Sequence, residues 1–249
     1  MAEGLLDMMV ERTEGQTDMG LVTVDFDGTL FKGNSFKVMF QVAKADFSIK
    51  EWSVVGLGLL KAGAKGLTGG KEAFKHGFFK AFARSFKGKT EGELTDFFNQ
   101  LVVVGKPNVN HELVSRVREH QNNGDTVIVL SGALRPFLYA FIESLQLDVH
   151  VIGTELQVNS DGVCTGEIGE IVNGQVKVDK VQQWLKENHP AQQGDVQDTW
   201  AYADSLSDVE LLEFVKHPIV VNPSDDMVKM AQEKNWPIFS QPDQAANSL

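Results

Sequence analysis

Short apolar runs that alternate with amphipathic helical patterns constrain the fold of this chain more than any other feature. Five runs of four or five residues have the apolar character of strands buried on both faces, and they lie at 21–24, 127–130, 149–152, 200–203 and 217–221. Helical patterns lie between or after them, at 111–121, 135–145, 178–188, 208–214 and 225–234. Buried strands that alternate with helices are typical of a parallel sheet covered on both faces. We therefore predict an α/β fold with a Rossmann-like parallel sheet.

Two segments interrupt this alternation. Residues 36–104 contain no strand pattern until their end and have Phe, Lys and Ala at helical spacing, which predicts an inserted all-helical domain. Residues 156–176 contain two turn signals and predict a small β-hairpin. The predicted division is a loose N-terminal tail at 1–20, an α/β core at 21–33 and 106–249, and a helical domain at 34–105.

The helical domain has an aromatic series and a glycine-rich stretch. The aromatic series predicts the apolar core of this domain, or a face through which two copies form a homodimer, with contact to a substrate as a third alternative. It consists of Phe74, Phe78, Phe79, Phe82 and Phe86. The stretch 63–70 lacks the Lys-Ser/Thr ending of a phosphate-binding P-loop and has no strand before it, so it predicts a flexible loop.

Charge is divided unevenly along the chain. The net charge is −11, which argues against a nucleic-acid partner because phosphate neutralisation dominates such binding. Residues 34–105 carry eleven basic and six acidic side chains, so the rest of the chain carries −16. The basic segment is either a solvated lysine face, a lid that attracts anionic substrates, or a surface that docks on anionic lipid head groups.

Composition also predicts the compartment. The single cysteine, Cys164, excludes an internal disulfide and is compatible with a reducing environment. The first twenty residues carry acids where a signal peptide would be basic, and they lack a continuous apolar core. The apolar stretch 52–60 is about half of the ~20 residues that span a bilayer. We expect a soluble cytoplasmic protein without a transmembrane segment.

Two acids directly follow the first predicted strand. Asp25 and Asp27 occupy the carboxyl end of that strand, which is the usual ligand-binding edge of a parallel sheet. Acids on one face repel each other unless a cation joins them, and a hard cation with oxygen ligands is typically Mg²⁺. A polar turn with incidental acids is the alternative for this segment taken alone.

Two further strands end in polar residues. Ser131 and Gly132 follow the second strand, where a hydroxyl and free backbone N–H groups at a strand-to-helix turn form an anion site. Asp204 and Asp208 follow the fourth strand at a spacing of four residues. Each turn alone has a simpler explanation, such as a helix cap, but three neighbouring strand ends of this kind predict a metal and anion site.

Together these residues resemble the four motifs of the haloacid dehalogenase superfamily, over about residues 21 to 240. The motifs are Asp-x-Asp-Gly-Thr from Asp25, then Ser131, then a lysine, then Asp-Ser-x-x-Asp from Asp204. The chain is most similar to the phosphoserine-phosphatase-like branch, in which a helical cap is inserted between the first and second motifs. For the lysine, Gly-x-x-Lys spacing favours Lys177, and Lys180 is the alternative.

The resemblance implies a magnesium-dependent phosphomonoesterase that acts on a small phosphorylated metabolite. Asp25 would be the nucleophile, and Asp27 would act as general acid and base. Dehalogenases of this superfamily need no acid at the second position, so Asp27 favours phosphate chemistry. The remaining roles implied by the resemblance are metal binding by Asp25, the main-chain carbonyl of Asp27 and Asp204, phosphate binding by Ser131, Gly132 and Lys177, and support of Lys177 or of a metal-bound water by Asp208.

Asn34 departs from the pattern of the branch. Phosphoserine phosphatases carry a glutamate seven residues after the second aspartate, and it pairs with the substrate ammonium. Asn34 contributes no charge there, which weakens discrimination in favour of an amino acid. Phosphoserine, histidinol phosphate and other small esters therefore stay candidates. A phosphoryl-transfer enzyme such as a mutase, and a non-catalytic binding or regulatory protein, are the alternative functions.

Overall fold

A computed structural model describes residues 20–188 and 198–239, together with all their side chains except those of 62 and 64–76. The predicted tail therefore lies outside the described residues except for Gly20. The elements in chain order are β1 (Leu21–Asp25), α1 (Ser35–Asp46), α2 (Ile49–Ser85), α3 (Glu91–Gly105), α4 (His111–Asn122), β2 (Thr126–Leu134), α5 (Arg135–Ser144), β3 (His150–Thr154), β4 (Leu156–Val158), β5 (Cys164–Ile168), α6 (Gln175–Asn188), β6 (Thr199–Ala203), α7 (Val209–Phe214), β7 (His217–Val221), α8 (Asp225–Lys234) and β8 (Ile238–Phe239). Short 3₁₀ turns lie at Lys106–Asn108 and Leu206–Asp208.

The main sheet has six parallel strands in the order β3-β2-β1-β6-β7-β8. Strand β1 is buried along its whole length and lies between β2 and β6. Asp25 is in register with Leu130 of β2, so the residues that follow both strands meet at one edge. The predicted α/β fold with a parallel sheet is confirmed, and its central strand carries the two acids to the carboxyl edge.

The predicted hairpin is present as β4 and β5, which pair antiparallel to each other. It also hydrogen-bonds to the connection between α2 and α3, because Gly88 donates to the carbonyl of Cys164 and Cys164 donates to that of Lys89, both at 2.9 Å. Gly166, at φ +80°, lies against the end of α2, where a Cβ would be 2.9 Å from the Cβ of Lys87. The hairpin therefore joins the sheet to the helical segment.

Four helices, α1 to α4, lie between β1 and β2, and the first three fall within the predicted helical segment. Their path differs from the prediction within α2, whose 37 residues have helical backbone through 63–70 instead of the expected loop. A straight helix would separate Gly58 from Ala81 by roughly 34 Å. A Cβ on Gly58 would instead lie 2.4 Å from the Cβ of Ala81, so α2 doubles back between these two residues. The glycines suggested an open loop because propensity alone disfavours them in helices.

An aromatic cluster fills the space between the inserted helices. The ring of Phe47 lies 5.9 Å from those of Phe82 and Phe86 and 5.6 Å from that of Phe97. All four rings are buried, and they belong to one apolar core that continues through Phe31 to the sheet. This cluster agrees with the predicted apolar core for Phe79, Phe82 and Phe86, while the side chain of Phe74 lies outside the described residues. The homodimer and the exact domain boundaries stay predictions.

Within 20–188 and 198–239, none of the helices combines the length and the apolar character needed to cross a membrane.

Candidate active site

The chain turns sharply after β1 and brings Asp25 beside Asp204. Asp25 is the last residue of β1 and is 4% exposed. Gly28 has φ +89°, and a Cβ there would lie 2.0 Å from Oδ2 of Asp204. Thr29 donates to the other oxygen of Asp204 at 3.5 Å. The glycine therefore serves both the turn and the close approach of this carboxylate.

Three carboxylates form an acidic cluster at this edge. Oxygen atoms of Asp25, Asp204 and Asp208 lie within 4.8 Å of one another. Burial raises the pKa of Asp25 well above its usual range, with a further increase from the charges of Asp208 and Asp204. Burial and the charge of Asp208 also raise the pKa of Asp204 to about 7. Burial is the first cause of both shifts, and repulsion between the carboxylates adds to it although Lys177 offsets part of the increase. A divalent cation would offset this repulsion, and the all-oxygen donor set fits Mg²⁺.

The acidic cluster does not consist of the same residues as the predicted metal site. Asp208 lies inside it, although the resemblance implies only a supporting role for that residue. The carboxylate of Asp27 instead accepts hydrogen bonds from the backbone N–H of Ser35 at 2.7 Å and from its hydroxyl at 2.5 Å. Only the main-chain carbonyl of Asp27 was expected to bind the metal, so the carboxylate is available for another role.

Ser35 controls the environment of Asp27, and sequence reasoning missed it. Burial raises the pKa of Asp27 to about 6, while the two hydrogen bonds from Ser35 lower it in part. Ser35 is the buried first residue of α1, so the inserted helices begin at the second acid of the site. A serine eight residues after Asp27 gives no local signal, and only the fold brings the two together.

Lys177 reaches into the acidic cluster from the first turn of α6. Its ammonium is 2% exposed and donates to Oδ1 of Asp25 at 2.5 Å and also to Asp208. Burial alone would lower its pKa, but the two carboxylates raise it above the usual range for lysine. Lys180 is only part-buried, and its nearest carboxylate is that of Glu170 at 3.6 Å. The structure places Lys177 in the site and Lys180 outside it.

Ser131 and Gly132 reach the same edge in a different way from the prediction. Strand β2 continues to Leu134, so the expected strand-to-helix turn at Ser131 is wrong. The pairing of β2 with β3 shifts register between Leu130 and Leu134, and Ser131 and Gly132, which lie within this irregular stretch, line the cavity. Thr154 secures the segment by donating to the carbonyl of Gly132 at 2.8 Å. An apolar run that ends in Ser-Gly resembles a turn, which is why sequence alone placed the strand end too early.

Asn34 is the N-cap of α1. Its side-chain oxygen accepts hydrogen bonds from the backbone N–H groups of Phe36 at 3.0 Å and Lys37 at 3.3 Å. The residue is exposed and borders the cavity, so it lies where the resemblance places a specificity residue. Its oxygen is nevertheless occupied by the helix backbone.

One cavity of about 450 Å³ brings these residues together. The predicted residues that line it are Asp25, Asp27, Asn34, Ser131, Gly132, Lys177, Asp204 and Asp208. Its other wall includes the rings of Phe36, Phe78 and Phe79 from the inserted helices. The cavity therefore combines a cluster of buried carboxylates, a second acid at Asp27, a buried lysine and an aromatic surface at the carboxyl edge of the sheet.

Comparison with known proteins relates this chain to one family. The family model described as haloacid dehalogenase-like hydrolase matches residues 22–213. A curated histidinol-phosphatase from Neisseria meningitidis is 35% identical over 125 residues, which is 50% of this chain and 55% of that protein. This chain spans about half the length of the curated relatives it matches.

Solved structures share the fold at lower identity. A protein of unknown function from Bordetella pertussis matches with a TM-score of 0.72 at 24% identity, covering 89% of this chain and 98% of that chain. A probable phosphoserine phosphatase from Vibrio cholerae matches with a TM-score of 0.62 at 22% identity, covering 88% and 60% of the two chains.

Proposed function

Because the chain belongs to the haloacid dehalogenase-like hydrolase family, we propose that it is a phosphomonoesterase for a small phosphorylated metabolite. The observation that carries this proposal is the position of Asp25, whose buried carboxylate belongs to the acidic cluster, accepts a hydrogen bond from the ammonium of Lys177 and lines the cavity. A nucleophilic carboxylate beside a cation site and a second acid suits attack on a phosphate ester.

In the proposed reaction, an oxygen of Asp25 attacks phosphorus and the bond from phosphorus to the leaving oxygen breaks. Asp27 donates its proton to that leaving oxygen. Asp27 then takes a proton from a water molecule, which attacks the phosphorus of the aspartyl-phosphate and releases inorganic phosphate. A pKa of about 6 for Asp27 allows both transfers near neutral pH.

The remaining polar residues bind the phosphoryl group in this proposal. The hydroxyl of Ser131, the backbone N–H of Gly132 and the ammonium of Lys177 neutralise its oxygens as charge develops in the transition state. Asp208 orients Lys177 through their hydrogen bond.

Asp25, Asp204 and the main-chain carbonyl of Asp27 would hold Mg²⁺, with Asp208 as a neighbouring carboxylate in the same cluster. When bound, Mg²⁺ supplies positive charge that lets the carboxylates and the substrate phosphate approach each other.

We also propose that residues 34–105, which contain the inserted helices, form a cap domain. The catalytic core then consists of residues 21–33 and 106–249. The cap supplies the aromatic wall of the cavity, and the core supplies its charged residues.

The test is release of inorganic phosphate from a panel of small phosphate esters, with and without Mg²⁺. We expect Mg²⁺-dependent turnover that Asp25→Asn removes and that Asp226→Asn, an exposed acid on α8, leaves unchanged. Turnover that survives Asp25→Asn would contradict the proposed nucleophile. A protein that hydrolyses no ester would favour a binding role, and one that passes phosphate to a second metabolite would favour the mutase alternative.

A further inference from the structure

The aromatic wall of the cavity is a continuous surface built from two helices. The ring of Phe36, in α1, lies 4.8 Å from that of Phe78 and 4.1 Å from that of Phe79, both in α2. Phe79 is buried, whereas Phe36 and Phe78 are part-exposed and border the cavity. Phe82 supports Phe78 from behind, with ring centroids 4.9 Å apart. This aromatic surface borders the same cavity as Asp25.

The charged side chains that the structure describes on the cavity belong to the core side. Among the side chains that the structure describes, the charged ones that line it are Asp25, Asp27, Lys177, Asp204 and Asp208. The one cation in this set is buried between two carboxylates. A carboxylate on the leaving group thus finds no further cation in the described part of the wall.

Asn34 also does not suit a substrate ammonium. Its oxygen already accepts two backbone hydrogen bonds from the first turn of α1, which use both lone pairs. The group that it can still offer is its amide N–H, which is a donor. An ammonium group is also a donor, so the two do not form a hydrogen bond.

These observations, which rest on the proposed phosphatase activity, concern the leaving group of the substrate. We infer that the preferred leaving group is uncharged and carries a flat apolar or aromatic face, which packs on Phe36 and Phe78. Apolar and aromatic walls favour such groups because their contact with water is lost on binding. An amino-acid leaving group would bring an ammonium and a carboxylate against this aromatic side of the cavity, where the described side chains, Asn34 and the three phenylalanines, carry no charge that could pair with either.

Binding of stable phosphonates to the full chain with Mg²⁺ tests the inference without turnover. The probes are (3-phenylpropyl)phosphonate, propylphosphonate and 2-amino-4-phosphonobutyrate, measured by titration calorimetry. The phenyl compound is expected to bind at least about 10-fold more tightly than the propyl compound, the scale of discrimination in apolar pockets. The amino acid is expected to bind no more tightly than the propyl compound. Equal binding of the first two, or preference for the amino acid, would overturn the inference.

Substitutions of Phe78 test whether the aromatic wall causes the preference for the phenyl compound. Phe78→Ala is expected to reduce the ratio of the two dissociation constants to about 3 or below, while Phe78→Leu retains an intermediate ratio because it keeps apolar volume without the ring. Phe214→Ala removes a ring of the same size from the exposed end of α7 and is expected to retain the wild-type ratio. An unchanged ratio in both Phe78 variants would overturn the inference, and Phe78→Leu is decisive if Phe78→Ala does not fold.

Turnover of the corresponding phosphate esters separates this inference from the proposed function. Asp25-dependent hydrolysis of propyl phosphate and phenylpropyl phosphate at equal kcat/KM would overturn the inference and support the function. Preferential binding of the phenyl compound without hydrolysis of any ester would overturn the function while supporting the ligand class.

Discussion

The two walls of the cavity differ in the chemistry of their side chains. At the sheet edge the side chains are charged, and each is bound to a neighbour, as Lys177 is to Asp25 and Asp208. On the side of the inserted helices, Phe36 and Phe78 present rings that contact other rings. In the proposed function the two walls have different tasks: the charged residues at the sheet edge carry out the reaction, and the rings on the helices select the leaving group through apolar contact.

Removal of Lys177 should have the largest effect on the charged wall. Lys177→Ala leaves the carboxylates of Asp25 and Asp208 buried without their cation, which costs about 3–5 kcal/mol in the free energy of unfolding. Turnover should fall by about 10³-fold or more because the phosphoryl oxygens also lose this charge. Denaturant unfolding and steady-state kinetics measure the two effects.

Lys180→Ala is the control for that change, since Lys180 lies one turn further along α6 and is part-exposed. It should change the free energy of unfolding by no more than about 0.5 kcal/mol. Equal effects of the two substitutions would contradict the claim that Lys177 neutralises the buried carboxylates of the site.

Gly28→Ala tests the contact between the turn after β1 and Asp204. The new Cβ would lie 2.0 Å from Oδ2 of Asp204, so this carboxylate must move away from the cluster. We expect turnover to fall by about 100-fold, the scale on which small displacements in an active site act, and the affinity for Mg²⁺ to fall with it.

Gly162→Ala is matched to that change, because Gly162 also has positive φ, at +74°, but has open space where a Cβ would lie. Both substitutions carry the backbone strain of about 1 kcal/mol, so the additional losses of turnover and of Mg²⁺ affinity in Gly28→Ala report on the contact with Asp204. Comparable turnover of the two variants would contradict the role of Gly28 in positioning Asp204.

Binding of Mg²⁺ should stabilise the charged wall measurably. The repulsion between Asp25, Asp204 and Asp208 falls when a cation binds, and at 100 times its dissociation constant the ion adds about 2.7 kcal/mol to the free energy of unfolding. Thermal melting with Mg²⁺ against EDTA measures this, and Asp204→Asn should reduce the difference. A melting temperature that does not respond to Mg²⁺ in the wild-type chain would argue against a metal site.

Gly58→Ala tests the path of α2, the helix that carries Phe78 and Phe79 of the aromatic wall. A Cβ at Gly58 would lie 2.4 Å from that of Ala81, so the two arms of α2 must move apart, at a cost of about 1–3 kcal/mol. Gly56→Ala is the control, since a Cβ there meets nothing within 4 Å, and it should stabilise the helix by up to about 1 kcal/mol. Destabilisation by Gly56→Ala, or none by Gly58→Ala, would contradict the doubled-back path of α2.

Sequence predicted the charged wall better than the aromatic one. Strand β1 and the acids after it were identified because a fully buried parallel strand has a continuous apolar run and its carboxyl end has a defined role. Helix α4 (His111–Asn122) was placed within one residue of its observed end. These features depend on local patterns and on rules that hold for all sheets of this kind.

The features that sequence missed depend on long-range contacts. Strand β2 continues past Ser131 because β3 still pairs with it after a shift in register, and no local pattern shows this. The four-residue spacing of Asp204 and Asp208 suggested the start of a helix, whereas a 3₁₀ turn (Leu206–Asp208) lies there. The doubling back of α2 likewise depends on the close approach of Gly58 and Ala81, which are far apart in the sequence.

Trapping of the intermediate on Asp25 tests the central claim most directly. A rapid quench during turnover, followed by borohydride, reduces an aspartyl-phosphate to homoserine, and peptide mass spectrometry locates that change. The proposed mechanism predicts homoserine at position 25 only when Mg²⁺ and a substrate ester are both present. Turnover with unmodified Asp25, or homoserine at Asp27 or Asp204 instead, would contradict it.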